Sequence, residues 1–292
     1  MSPHIEAGEV LHKALKYAMD IIHPGMPVIE LCQRVEERII AQGARPAFPV
    51  NVGINEVAAH YTATRGDKLV IPNNAVVKID AGAHKDGYIV DAAVTVSLGT
   101  NAYDGIVKAA REALRAAYES LRPGVKAWQI GEVIESRIKS FGYRPIYNLT
   151  GHRIEQYNLH AGDVVPNYGD RTASQALRPG DVYAIEPFAT NGKGYVKDLN
   201  KITIYRLIRT KLKGKQEYLD NIYRVARTLP FSPRWFPEIP EEFFAEAASR
   251  GALYGYEVLV EEAGGVVAQF EDTFVIEEDG ARPLANTLEL AQ

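Results

Sequence analysis

Residues 24–46 read PGMPVIELCQRVEERIIAQGARP, and residues 123–145 read PGVKAWQIGEVIESRIKSFGYRP. The second stretch repeats the first at an offset of 99 residues. Pro24-Gly25, Glu36, Arg38-Ile39, Gly43 and Arg45-Pro46 return as Pro123-Gly124, Glu135, Arg137-Ile138, Gly142 and Arg144-Pro145. Eight identities in one register over 23 positions favour a duplication over a coincidental recurrence of Pro-Gly helix starts. Two copies are too few for a solenoid, which generally needs about three or more units. A duplicated half-domain packed about a pseudo-twofold axis is the better reading. The echo runs on more loosely: Val77-Lys78-Ile79-Asp80 is answered by Tyr183-Ala184-Ile185-Glu186, and His60 by His160. Equivalent strands of such halves meet at the centre, where paired acids would converge.

Outward from the repeat, Leu11, Leu15, Ala18 and Ile22 recur at helical spacing, and His23-Pro24-Gly25 ends that helix. A second helix is expected over Val28 to Gln42, stopping at Gly43. Ala75 to Ala83 and Tyr88 to Leu98 are rich in Val and Ile and flank Lys85-Asp86-Gly87, a hairpin signal. From Tyr205 to Gly255 the character changes: Lys211, Lys213 and Lys215 lead into the Pro- and aromatic-rich run Phe231 to Pro237, and then a helical stretch from Glu241 to Ser249. This reads as a helical insertion, with strand resuming at Tyr256. No low-complexity tether separates domains, so residues 1–292 are taken as one α+β domain carrying the insertion at 205–255.

The chain has 292 residues, 46% hydrophobic and 24% charged, with a formal net charge of −4. That is ordinary globular composition without the basic footprint of a nucleic-acid binder. The single cysteine, Cys32, excludes an internal disulfide and reads as a small buried hydrophobe. Charges interrupt Ile5 to Ile22, so no secretory signal is read there, and no run reaches the ~20 apolar residues of a membrane span. A cytoplasmic protein is the expectation. Gly192-Lys193-Gly194 lacks the spacing of a phosphate loop and reads as a turn.

The acids carry the chemistry. If Asp86-Gly87 forms a two-residue turn, Asp80 lies opposite Ala93 and Asp91 sits diagonally from Asp80 on the same face. A register slipped by one would separate them. Like charges in an apolar sheet are costly unless one is protonated or a cation lies between them. On spacing alone, a pair of solvent-facing aspartates stays open as the plainer reading. Three further segments weigh against that. Thr150-Gly151-His152 places an imidazole in a Gly-flanked turn, Ala184-Ile185-Glu186-Pro187 ends an apolar strand on a carboxylate, and Val267 to Val275 carries Glu271 in another apolar strand.

Asp80 and Asp91, the Gly151-His152 pair, Ile185-Glu186-Pro187 and the late Glu271 together resemble the methionine aminopeptidases, members of the pita-bread metallopeptidases. The resemblance also runs through Phe48-Pro49-Val50-Asn51, Asn55 to Thr62, Leu159-His160-Ala161-Gly162 and Gln269-Phe270-Glu271, so it covers nearly the whole chain. The insertion between Glu186 and Glu271 is similar to the helical subdomain of the type 2 enzymes, and the short start is similar to their archaeal form. Asp272 departs from the eukaryotic pattern, where histidine is expected.

The resemblance implies a fold of two duplicated αβ halves around a central antiparallel sheet. It implies that Asp80, Asp91, His152, Glu186 and Glu271 hold two divalent ions, with Asp91 and Glu271 bridging. One imidazole among four carboxylates moves the preference from Mg or Ca towards Mn, Fe, Co or Zn. Such a pair acidifies a bridging water that attacks the first peptide bond, with Glu186 shuttling the proton. His60 and His160 would orient the scissile amide, and Phe48, Leu159 and Tyr256 would line the methionine pocket. The implied substrate is the N-terminal methionine of nascent chains, handled by a monomer without membrane or specific nucleic-acid contact, with transient ribosome association left open. An Xaa-Pro peptidase of the same fold and a catalytically inactive binding protein of that fold are the rival readings.

Overall fold

The computed structural model describes residues 2–290. Its first half contains α1 (Pro3–Ile21), α2 (Val28–Ala41), β1 (Arg45–Ile54), β2 (Val57–Ala59), β3 (Ala75–Lys85) and β4 (Tyr88–Leu98). The second half opens with α3 (Asp104–Ser120), α4 (Ala127–Ser140), β5 (Arg144–Pro145), β6 (Thr150–Arg153), β7 (Val164–Pro166), β8 (Val182–Ile185), β9 (Phe188–Thr190) and β10 (Val196–Leu207). It continues through α5 (Gln216–Ala226), a short 3-10 turn (Pro233–Trp235), α6 (Glu241–Ser249), β11 (Leu253–Glu261), β12 (Val267–Gln269), β13 (Asp272–Ile276), β14 (Ala281–Pro283) and α7 (Thr287–Leu290).

The repeat has a physical basis. Helices α2 and α4 bury equivalent faces: Val28, Leu31, Cys32, Val35 and Ile39 in one, and Ala127, Ile130, Gly131, Ile134 and Ile138 in the other. The repeated glycines are left-handed in both copies, Gly25 and Gly124 before the helix and Gly43 and Gly142 after it. Any side chain there would be strained. The Gly25 amide donates to Ile71 O and the Gly124 amide to Leu177 O, so each helix entry is tied to its own half in the same way.

The named ladders are antiparallel, as the duplicated pita-bread reading expects. They run β1-β3-β4, β10-β11-β2, β12-β9-β5 and β14-β13-β8-β6-β7. Helices α1 to α4 pack on the sheets over one large apolar core. The halves meet where Ala93 of β4 pairs with Glu271, so the central sheet is stitched together at the acids.

Between β10 and β11 lie α5, the 3-10 turn and α6, around a core of their own that includes Leu219, Ile222, Phe231, Phe236, Phe243 and Phe244. Strand resumes at Leu253, ahead of the expected Tyr256, because Leu207 and Leu253 pair across β10 and β11 and close that core. This unit is tied to the first half by Arg234. Its guanidinium donates to both oxygens of buried Glu36 at 2.8 Å, while the Trp235 indole N–H donates to Glu36 at 2.9 Å. No helix among the described residues is long and apolar enough to cross a membrane. Cys32 is buried, with its thiol pushed up to about 11, first by burial, which suits a core residue and not a nucleophile.

Candidate metal centre

The β3–β4 hairpin turns on Asp86 and Gly87, both with positive φ, which is the geometry a tight two-residue turn requires. It sets the register: Asp80 faces Ala93 and Asp91 faces Gly82, so the two aspartates share a face as the spacing predicts. Gly82 also lets the first strand come close. A Cβ on it would lie 2.3 Å from the Phe48 ring, so the ring rests where a side chain would be.

Two expected local structures differ. The turn expected at Thr150-Gly151-His152 is strand β6, because Gly151 leaves room for Ala184 O of β8, 2.4 Å from where its Cβ would be. The apolar strand expected across Val267 to Val275 breaks at Phe270-Glu271. The break faces the one at Glu186-Pro187: Asp272 pairs with Ile185 and Gln269 with Phe188 on either side. Pro187 has no N–H to give, but its carbonyl accepts from Phe270 N. Both glutamates thus sit at interruptions of neighbouring strands.

These elements bring the five predicted residues together. The His152 Nε2 atom lies 3.5 Å from Asp91 Oδ2 and 3.6 Å from Glu186 Oε1. Ligand atoms of Asp91, His152 and Glu271 all lie within 4.8 Å of one another. One cavity of about 310 Å³ is lined by Asp80, Asp91, His152, Glu186 and Glu271, and also by His60, His160, Phe48, Leu159 and Tyr256. Every sequence-predicted site residue therefore reaches the same space.

The acids are poorly served by the protein itself. Asp80 Oδ1, Asp91 Oδ1 and Glu271 Oε1 are buried without a donor among the described residues. Burial pushes all four carboxyls up. The Asp91 charge adds to this at Asp80, Glu186 and Glu271, while His152 opposes it at Asp91. Buried anionic oxygens with no donors, converging beside an imidazole, match what a divalent cation needs from its ligands.

His60, in a left-handed conformation after β2, lines the cavity and donates from Nδ1 to Glu257 O at 3.1 Å, which leaves Nε2 as the acceptor of the neutral ring. Burial lowers its pKa. His160 stacks edge-on against His152 at 4.4 Å, and its pKa is driven down to about 3 by burial and then by His152, His60 and Arg206. His160 is therefore a neutral ring beside the cavity. Tyr256 packs near both rings. Phe48 and Leu159 share one apolar cluster.

Sequence reasoning missed the supports. Gln269 Nε2 donates to Glu271 Oε2 at 2.9 Å, and the Thr273 hydroxyl both accepts from Asp91 N and donates to Asp91 O. Asp272, a departure from the eukaryotic pattern, accepts from the Ala285 and Thr287 amides directly behind Glu271. Gln269 and Thr273 stand two residues on either side of Glu271 in the sequence, a spacing that could have found them.

The chain belongs to metallopeptidase family M24, whose profile matches residues 4–278. Within that family it is 44% identical to the methionine aminopeptidase of Pyrococcus horikoshii over 283 residues, covering 94% of this chain and 96% of that one. Among solved structures, a thermophilic Arx1 superposes with a TM-score of 0.85 at 17% identity, covering 100% of this chain and 93% of that one. The methionine aminopeptidase of Thermotoga maritima gives 0.71 at 23%, covering 96% and 94%. At those identities the two structures speak for the fold alone.

Proposed function

We infer that this protein is a metal-dependent aminopeptidase that removes the N-terminal methionine from newly made chains. The observation that carries the reading is the convergence of donor-less buried carboxylate oxygens and one imidazole in a single cavity. Similarity over almost the full length of an archaeal methionine aminopeptidase supports the substrate.

In this reading Asp80, Asp91, His152, Glu186 and Glu271 hold two divalent ions drawn from Co, Mn, Fe and Zn. Asp80, Asp91 and Glu271 would supply carboxylate oxygens to the pair, and His152 with Glu186 would complete it. When bound, such a pair supplies Lewis acidity and acidifies water at neutral pH. Glu186, which lines the cavity beside His152, takes the proton from the attacking water and returns it to the leaving amine. His60 has Nδ1 committed as a donor, so its Nε2 accepts from a substrate N–H. Neutral His160 is left to polarise the scissile carbonyl. Phe48, Leu159 and Tyr256 form the methionine pocket, where a thioether packs well against rings.

The whole of 1–292 serves as one catalytic domain, with 205–255 inserted as a brace. Newly made chains as substrate put the protein in the cytoplasm as a monomer meeting peptides near the ribosome. The test compares Met-Ala-Ser with Ala-Pro-Ser after loading with each metal in turn. Release of methionine is expected. Preference for the proline peptide would move the protein to the Xaa-Pro branch, and inertness without bound metal would leave a binding protein.

A further inference from the structure

Asn51 enters the cavity from β1 and belongs neither to the five metal-binding residues nor to the two histidines. Its side-chain orientation is fixed internally. Nδ2 donates to Pro49 O at 2.9 Å, so Oδ1 is the atom left over, and it is buried with no donor among the described residues. The residue is 6% exposed, so bulk water does not serve it. A buried carbonyl oxygen without a donor is costly until one arrives.

The ladder register sets the chemical neighbours of that oxygen. Asn51 pairs with Asp80 across β1 and β3, and Phe48 pairs with Gly82 further along the same strands. The face therefore carries a polar row, Asn51 and Asp80, beside an apolar wall, the Phe48 ring lying over Gly82. Successive same-face positions on a strand are roughly 7 Å apart. A ligand residue whose side chain rests on Phe48 brings the nitrogen on its own Cα to the Asn51–Asp80 row. That nitrogen is the donor-rich group a free N-terminus has and a mid-chain residue lacks.

We propose that Asn51 Oδ1 accepts a hydrogen bond from the α-amino group of the substrate, making Asn51 a specificity residue for a free N-terminus. The proposal rests on the aminopeptidase reading of the site. A neutral acceptor suits this role, because a further carboxylate in that row would add repulsion to the buried acids, whereas an amide oxygen reads N–H groups without adding charge.

The experiment measures binding by calorimetry to the metal-loaded protein, using methioninamide and its des-amino counterpart, which lacks only the α-amino group. Asn51→Leu is expected to weaken methioninamide roughly tenfold or more while changing the des-amino compound less than about twofold. Asn51→Gln keeps a neutral amide oxygen and should retain the discrimination, which separates loss of the acceptor from a folding defect. Equal weakening of both ligands, or of neither, overturns the proposal. So does loss of bound metal in Asn51→Leu, which would make Asn51 a metal ligand. Failure of the aminopeptidase reading looks different: the unaltered protein then binds neither ligand and releases no methionine.

Discussion

Replacing Gly82 with alanine tests the wall of the methionine pocket without touching a charged group. The new Cβ would sit 2.3 Å from Phe48 Cε1, 2.7 Å from Cδ1 and 3.0 Å from Ala47 Cβ, against ordinary contacts from 3.4 Å. The ring must retreat by roughly 1 Å, and it is buried with Ala47, Ile89, Leu159 and Ala184 around it. Overpacking of this kind costs about 1–3 kcal/mol of stability. The remaining outlet is the cavity, so the pocket narrows where the thioether lies. A mismatch near the size of one methylene changes kcat/KM by about 10- to 200-fold. The assay is kcat/KM for Met-Ala-Ser against Ala-Ala-Ser, alongside urea unfolding. Gly82→Ala should lose most on the methionine peptide and less on the alanine peptide, and adding Phe48→Leu should recover stability. An unchanged methionine preference with an unchanged unfolding midpoint would refute the packing argument and the placement of Phe48 in the pocket.

Three further perturbations probe the brace, the hairpin and the proton shuttle. Arg234→Met strips buried Glu36 of two charged donors, leaving only Trp235 and the Val50 amide, and should cost about 3–5 kcal/mol in urea unfolding; a loss below about 1 kcal/mol contradicts it. The Glu36→Leu/Arg234→Met pair should lose less than that single change, since no unpaired charge is left. His84 accepts from Gly87 N at the site hairpin, and burial, followed by the nearby Arg45 charge, lowers its pKa from 6.5 to about 4. The unfolded chain therefore binds the extra proton between those values, so the His84 contribution to stability should fall as pH drops through that window, by up to roughly 3 kcal/mol, and be constant above it. A wild-type profile that His84→Gln leaves unaltered would show that this group does not contribute. Glu186→Gln should lower turnover by ~10²–10⁴-fold if the carboxyl shuttles the proton, and turnover near that of the unaltered protein rules the role out.

Much of this architecture is legible in the sequence because the duplication imposes backbone demands that leave marks. The left-handed positions of Gly25, Gly43, Gly124 and Gly142 recur because only glycine occupies them without strain. The Asp86-Gly87 turn fixes the hairpin register, and with it the shared face of Asp80 and Asp91. What escapes depends on contacts distant in sequence. Glu36 looks like an ordinary helical surface acid until Arg234, 198 residues later, closes on it. Lys78 reads as a polar strand residue, yet its ammonium is buried between Asn55 O and Val267 O. The strand breaks at Glu186 and Glu271 are set by each other across the sheet, so neither segment shows its interruption alone. Asn51 stands inside a family motif, but its donor-less oxygen exists only because Pro49 takes the amide nitrogen.

The proposed chemistry depends on Asp80, Asp91, His152, Glu186 and Glu271 together holding two divalent ions. Elemental analysis of the metal-loaded protein, run beside Asp91→Ala after the same dialysis, counts those ions. Two per chain are expected in the unaltered protein and at least one fewer in the variant. Equal metal content in both, or none in either, would contradict the shared centre.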